Sequence, residues 1–191
     1  MITQIKVYNR QSMELLARYG KASGFPYYGQ TWNLISIHGD TPRFMIPENE
    51  AELKKSGLKN WLSFDFWDII DDPMLLDQMQ KQYLNYRLFD NQQAAEIVSF
   101  IKDRQNESEP SILVCHCDAG ISRSGAVGVF ASEFCGFGYH KAMNENSNIK
   151  PNSMVLRMLR EEAGLGGKTA FMTKQEADQE QCITTEEEEY V

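Results

Sequence analysis

Cysteine is scarce in this chain: four in 191 residues, two of them separated by a single position. So few thiols, so placed, make no disulfide framework, and the expected setting is a reducing one, the cytoplasm. Histidine is scarcer still, at three. Apart from Cys115, His116 and Cys117, the cysteines and histidines (His38, Cys135, His140 and Cys182) are scattered. No second Cys/His pair stands at ligand spacing, so neither a metal nor another cofactor is expected. Long apolar runs are absent from residues 1–10 and from the rest of the chain, which argues against a leader peptide, a bilayer span or a membrane partner. Basic residues are in deficit, 19 against 27 acids, giving a net charge of −8. The basic patch that nucleic-acid binding needs is missing, and no such partner is expected.

The acidity is unevenly placed. Two lysines and seven acids lie from Leu165 onward, so five of the eight net negative charges belong to the C-terminal stretch. Periodicity also vanishes there. The chain is therefore read as one domain over residues 1–166 and a flexible acidic tail over 167–191.

Within the domain, strand and helix patterns alternate. Residues 2–8 suit an edge strand, and residues 12–20 a short helix with Ser12 as N-cap and Gly20 past its end. Residues 32–37 suit a strand; His38 then stands among turn residues and is assigned no role. Residues 50–55 suit one or two helical turns, and residues 58–67 a strand covered on both faces. Residues 74–88 carry a helical stripe. Asp90 and Gln93 form a capping-box pattern ahead of Ala94, Ile97, Val98 and Ile101. Residues 139–146 suit a short helix, and Pro151 opens another at its first position. Such alternation predicts an α/β fold, a mostly parallel sheet flanked by helices.

The most informative stretch is Ser111-Ile-Leu-Val-Cys-His-Cys-Asp-Ala-Gly-Ile-Ser-Arg-Ser124. Its apolar start reads as a buried strand, and the small and apolar residues after it as a helix. A loop closing between the two turns successive backbone N–H groups inward as an anion nest, and the helix N-terminus adds partial positive charge. Cys117 at the mouth of that nest sits where negative charge on sulfur is favoured. Arg123 can fold back to grip two phosphate oxygens with its planar fork. Gly120 permits a turn that a Cβ would oppose. Two plainer readings compete: inert buried cysteines, and a metal cluster. The strand–loop–helix context favours the nucleophile. Cys115 and Cys117 are expected to point apart, which would disfavour a disulfide between them.

His116-Cys117-x5-Arg123-Ser124 resembles the phosphate-binding loop of the protein tyrosine phosphatase superfamily, in particular its compact dual-specificity-like branch of bacterial and viral type. The likeness extends over roughly residues 30–164: the strand Trp32-Asn-Leu-Ile-Ser-Ile37, the segment Phe66-Trp-Asp68-Ile69 and the helix start Asn148-Ile-Lys-Pro-Asn152. The resemblance implies a phosphatase-like fold and a cysteine-dependent phosphomonoester hydrolase. Cys117 would attack phosphorus to give a cysteinyl-phosphate. Arg123 and the backbone N–H groups of Asp118, Ala119, Gly120, Ile121, Ser122 and Arg123 would bind the phosphate. Ser124 would ease departure of the sulfur, and His116 would support the loop. An Asp would protonate the leaving oxygen. Asp68 is preferred for its context, with Asp65, Asp71 and Asp72 as alternatives; Asp90 has the rival role of helix cap.

No lysine interrupts the loop, and the Asp118 carboxylate is expected to point to its rim. The expected substrate is a phosphorylated protein or a small aryl phosphate, phosphotyrosine foremost, with dual specificity open. Two other chemistries fit a Cys-Arg loop: phosphate binding without turnover, and a sulfurtransferase or arsenate reductase reaction.

Overall fold

The computed structural model of the chain describes residues 1–39, 46–69 and 87–165. Strands β1 (Ile2–Asn9), β2 (Trp32–His38), β3 (Leu58–Asp65) and β4 (Ser111–Cys117) form one sheet in the order β1-β4-β2-β3, and every pair is parallel. The α-helices among the described residues are α1 (Arg10–Tyr19), α2 (Ile46–Lys55), α3 (Asn91–Gln105), α4 (Arg123–Phe134), α5 (Tyr139–Glu145) and α6 (Ser153–Glu162). The expected α/β class holds, with a wholly parallel sheet among the described residues.

Parallel pairing requires crossovers, and the helices they carry cover both faces of the sheet. The inner strands β2 and β4 are accordingly buried at every position. One face packs Leu34, Ile112 and Val114 against Met13 and Leu16 of α1 and Leu53 of α2. The other packs Ile35, Ile37, Leu113 and Cys115 against Ile97 of α3, Val127 and Phe130 of α4, and Val155 and Leu159 of α6. Cys115 and Cys117 both belong to this second cluster. The expected opposite placement of the two thiols fails, because residues two apart on a strand share a face.

Helix α4 is buried from Arg123 through Ser132. Its small residues permit that approach: a Cβ at Gly128 would stand 2.7 Å from Val7 Cγ2. Phe25, in the aromatic loop, packs at ring-centroid distances of 5.7 Å from Tyr8 and 5.4 Å from Trp32, so that aromatic is core.

Several element ends differ from the sequence expectation. Helix α1 is capped by Asn9 rather than Ser12: the Ser12 N–H donates to the Asn9 side chain at 2.8 Å, as β1 runs straight into the helix. Asn152, not Pro151, starts α6, its side chain accepting the Val155 N–H at 3.1 Å. Strand β3 stops at Asp65, after which the Trp67 N–H turns to the Arg87 carbonyl at 2.9 Å. The Asp90–Gln93 capping box forms as expected. Most of the expected 74–88 helix and the tail from 167 lie outside the described residues. Among the described residues no helix is long and apolar enough to cross a membrane.

Gly120, in the loop after β4, has φ +69°, and a Cβ there would meet the Asn9 amide nitrogen at 2.6 Å and the Tyr8 carbonyl oxygen at 2.7 Å. Both the backbone conformation and the space exclude a side chain. Gly120→Ala is therefore expected to lower unfolding free energy by about 2 kcal/mol or more, read from the urea midpoint.

Candidate active site

The site forms where β4 gives way to α4. Cys117 closes the strand and is 1% exposed. The Ser124 hydroxyl, on the first turn of the helix, donates to its sulfur at 3.0 Å. Between them three loop carbonyls are tied outward to neighbouring segments. That of Asp118 accepts from the Arg10 N–H (3.2 Å), that of Ile121 from Lys150 (3.0 Å), and that of Ser122 from Asn152 (3.1 Å). Backbone whose carbonyls face outward presents N–H groups to the interior, the geometry of an anion nest.

Arg123 is 6% exposed. A charge so buried is costly unless it is paired and hydrogen-bonded. One terminal nitrogen, Nη1, donates to the Phe66 carbonyl at 2.8 Å, and Nη2 donates to Asp118 Oδ2 at 2.8 Å. The end of β2 makes room: a Cβ on Gly39 would stand 2.6 Å from Nη1. The Asp118 side chain thus turns inward onto Arg123, not outward to the rim as expected. Attraction between the two charges in a partly buried place outweighs its solvation there.

Asp68 lies beside the loop. Its Oδ1 accepts from the Ser122 hydroxyl at 2.7 Å and from Asn152 Nδ2 at 2.8 Å. Asn152 also donates to the Ile69 carbonyl at 2.9 Å, so one residue caps α6 and fixes the Asp68 segment. Oδ2 faces Arg123 Nε at 4.0 Å, and the side chain is 40% exposed. Both of these donors sit on Oδ1, and Oδ2 is the oxygen turned toward Arg123. The alternatives are engaged elsewhere: Asp65 pairs with Arg87 at 3.6 Å and Asp90 caps α3. Asp71 and Asp72 lie outside the described residues.

Beneath the loop is a buried polar group that the sequence did not announce. Ser36 Oγ stands 2.7 Å from Nε2 of both His116 and His38. His38 is 1% exposed, contrary to a solvated turn residue, because β2 runs through it. A hydroxyl has one hydrogen, so one imidazole accepts from Ser36 while the other donates to it. Burial, and next the neighbouring His38, push His116 down to about 3, more strongly than the Cys117 backbone and the Asp118 carboxylate pull it up. His116 is therefore neutral at neutral pH. Burial, followed by the charge at Cys117, pushes the Cys115 thiol well up, which leaves it an inert core side chain. Among the described residues no three His, Cys, Asp or Glu side chains gather as a metal site.

Asn152, Ser36, His38 and Arg10 were missed as site residues. Only Asn152 left a signal, as an Asn ahead of an apolar helical stripe; the others are joined to the loop by pairing across the sheet and by the β1–α1 corner.

No family model and no curated protein matches this sequence. Similar solved structures are known. The structure of Tk-PTP in the active form is 15% identical, with a TM-score of 0.44, and the match covers 88% of this chain and 91% of that one. Human DUSP28 is 16% identical, with a TM-score of 0.42 and coverage of 86% and 95%. The human tyrosine phosphatase-like serine/threonine/tyrosine-interacting protein is 17% identical, with a TM-score of 0.37 and coverage of 82% and 85%.

His116 predicts a pH effect. Unfolded, it titrates near its ordinary value of 6.5; folded, it is held near 3. Between these values the unfolded chain binds the extra proton, so stability rises with pH and is lost as pH falls through the window. His116→Gln should shrink the difference in unfolding free energy between pH 7 and pH 4.5 by about 2 kcal/mol, measured by urea denaturation at both pH values. An unchanged difference would refute the buried neutral imidazole.

Proposed function

We propose that this protein is a cysteine-dependent phosphomonoester hydrolase of the tyrosine or dual-specificity phosphatase kind. The observation that carries the reading is the hydrogen bond from Ser124 to the Cys117 sulfur, at 3.0 Å, in a loop that also holds Arg123 and adjoins Asp68. A hydroxyl aimed at sulfur suits it as a leaving group, and the nest and guanidinium suit the phosphate dianion.

The reaction follows from these positions. The Cys117 thiolate attacks phosphorus, the phosphorus–oxygen bond of the ester breaks, and the departing oxygen takes the proton carried on Asp68 Oδ2. Water then attacks the cysteinyl-phosphate, Asp68 takes up its proton, and the sulfur leaves as a thiolate accepting the Ser124 hydrogen bond. Phosphate and the dephosphorylated alcohol are the products. Backbone N–H groups of residues 118–123 and the Arg123 fork hold the equatorial oxygens throughout. His116, neutral and anchored to Ser36, positions the loop from below. Neither metal nor organic cofactor has a step in this scheme. The loop holds no lysine, and the substrate we favour is a single phosphoryl group on a protein or small aryl alcohol, phosphotyrosine above all. Asp68 beside the loop supports turnover over mere binding.

Cys117→Ser should abolish hydrolysis of an aryl phosphate while phosphate binding persists, and wild-type activity should withstand a chelator. Activity surviving the substitution, or turnover of thiosulfate or arsenate in place of the ester, would overturn the assignment. Asp68→Asn should slow substrates with poor leaving groups by roughly 10²-fold or more, and good leaving groups much less. Equal losses across a leaving-group series would make Asp68 structural.

A further inference from the structure

Asp118 follows the nucleophile directly and carries a negative charge into a loop built to hold anions. Its Oδ2 accepts from Arg123 Nη2 at 2.8 Å, while its Oδ1 lies 3.9 Å from Arg10 Nη1. Arg10 opens α1, and its backbone N–H is bound to the Asp118 carbonyl at 3.2 Å, so the corner between β1 and α1 is fastened to the loop. The Arg10 Nε edge is engaged by Glu14 at 3.3 Å, one turn along the helix, which holds the guanidinium in place with Nη1 toward Asp118. Both cations are within reach of one carboxylate, on its two different oxygens.

Arg123 has a second edge. Its Nε is buried without a hydrogen-bond partner among the described residues, with Asp68 Oδ2 4.0 Å away. A phosphoryl group gripped by the Nε–Nη2 edge would set its oxygens and the Asp118 carboxylate on the same nitrogen. Like charges so placed repel, and the repulsion grows with the charge of the ligand. Moving the carboxylate the short way to Arg10 relieves it.

We propose, on the phosphatase reading above, that Asp118 is a specificity-determining residue that opposes phosphate at Arg123 and passes to Arg10 when a phosphoryl group binds. The exchange needs no new charge in the site: one carboxylate leaves one guanidinium for another as the ligand arrives. Its consequence is weak retention of product phosphate and discrimination against ligands with more than one phosphoryl group. Arg10 acts through Asp118, as the acceptor of the displaced carboxylate.

The test is a double-mutant cycle read in competitive inhibition constants for inorganic phosphate and pyrophosphate, with aryl phosphate hydrolysis as the assay. Asp118→Asn keeps the side chain's shape and removes its charge. It should tighten inhibition by phosphate about tenfold, equivalent to about 1.4 kcal/mol, and inhibition by pyrophosphate by more. Arg10→Gln should weaken phosphate about threefold in the wild-type background, because the carboxylate then loses the second guanidinium to which it would pass. In the Asp118→Asn background the same change should have no effect. Asp118→Ser, with its melting temperature compared with wild type, guards against a folding artefact and must shift inhibition in the same direction. Phosphate binding that is unchanged or weaker in both Asp118 variants overturns the proposal. An Arg10→Gln loss of equal size in both backgrounds also overturns it, since Arg10 would then attract phosphate directly. Absence of both turnover and phosphate binding in the wild type would instead defeat the phosphatase reading, and this proposal with it.

Discussion

The guanidinium of Arg123 is the constraint around which the site is assembled. A buried cation has to be paired and hydrogen-bonded, and two separate parts of the chain meet that demand. The segment leaving β3 supplies the Phe66 carbonyl and, at 4.0 Å, the Asp68 carboxylate, and the loop itself supplies Asp118. Gly39, at the end of β2, yields the space. Each of these contacts orients backbone as well as charge. The same cation that would grip a substrate therefore also ties the segment leaving β3 to the loop at the carboxyl end of the sheet, where parallel α/β folds bind ligands.

The other side of the loop depends on hydrogen bonds that leave little freedom. Asn152 caps α6 through its oxygen and, through its nitrogen, holds both the Asp68 carboxylate and the Ile69 carbonyl. The segment carrying the candidate acid is thereby referenced to a helix. Below, Ser36 joins two imidazoles inside the sheet. Polar groups this deeply buried are tolerated because each finds a partner, and a network of that kind specifies one arrangement. Its neutrality matters: a protonated His116 would put a second cation beneath Cys117, in surroundings that do not solvate it.

Placing Asp118 at the rim followed from treating it as a solitary surface acid. In the fold it lies between two guanidinium groups, that of Arg10, directly after the neighbouring strand β1, and that of Arg123, five residues ahead in the loop. The first of these contacts comes from the β1–α1 corner, which no local pattern links to residue 118. His38 was misjudged for the same reason: turn residues follow it, yet its own position is the last of a central strand.

By itself, the sequence determined the alternating α/β plan and the strand–loop–helix stretch that carries Cys117 and Arg123. Those features are local: apolar periodicity, capping residues and a fixed spacing within one loop are complete within a few neighbouring residues. It also pointed to Asp68, through the residues around it. Tertiary structure alone decided what Asp68 and Asp118 hold, and that Ser36, His38, Arg10 and Asn152 adjoin the loop. Those relations join residues up to 108 positions apart, as Arg10 and Asp118 are, and they arise only when parallel strands and their crossovers bring distant backbone to one end of the sheet.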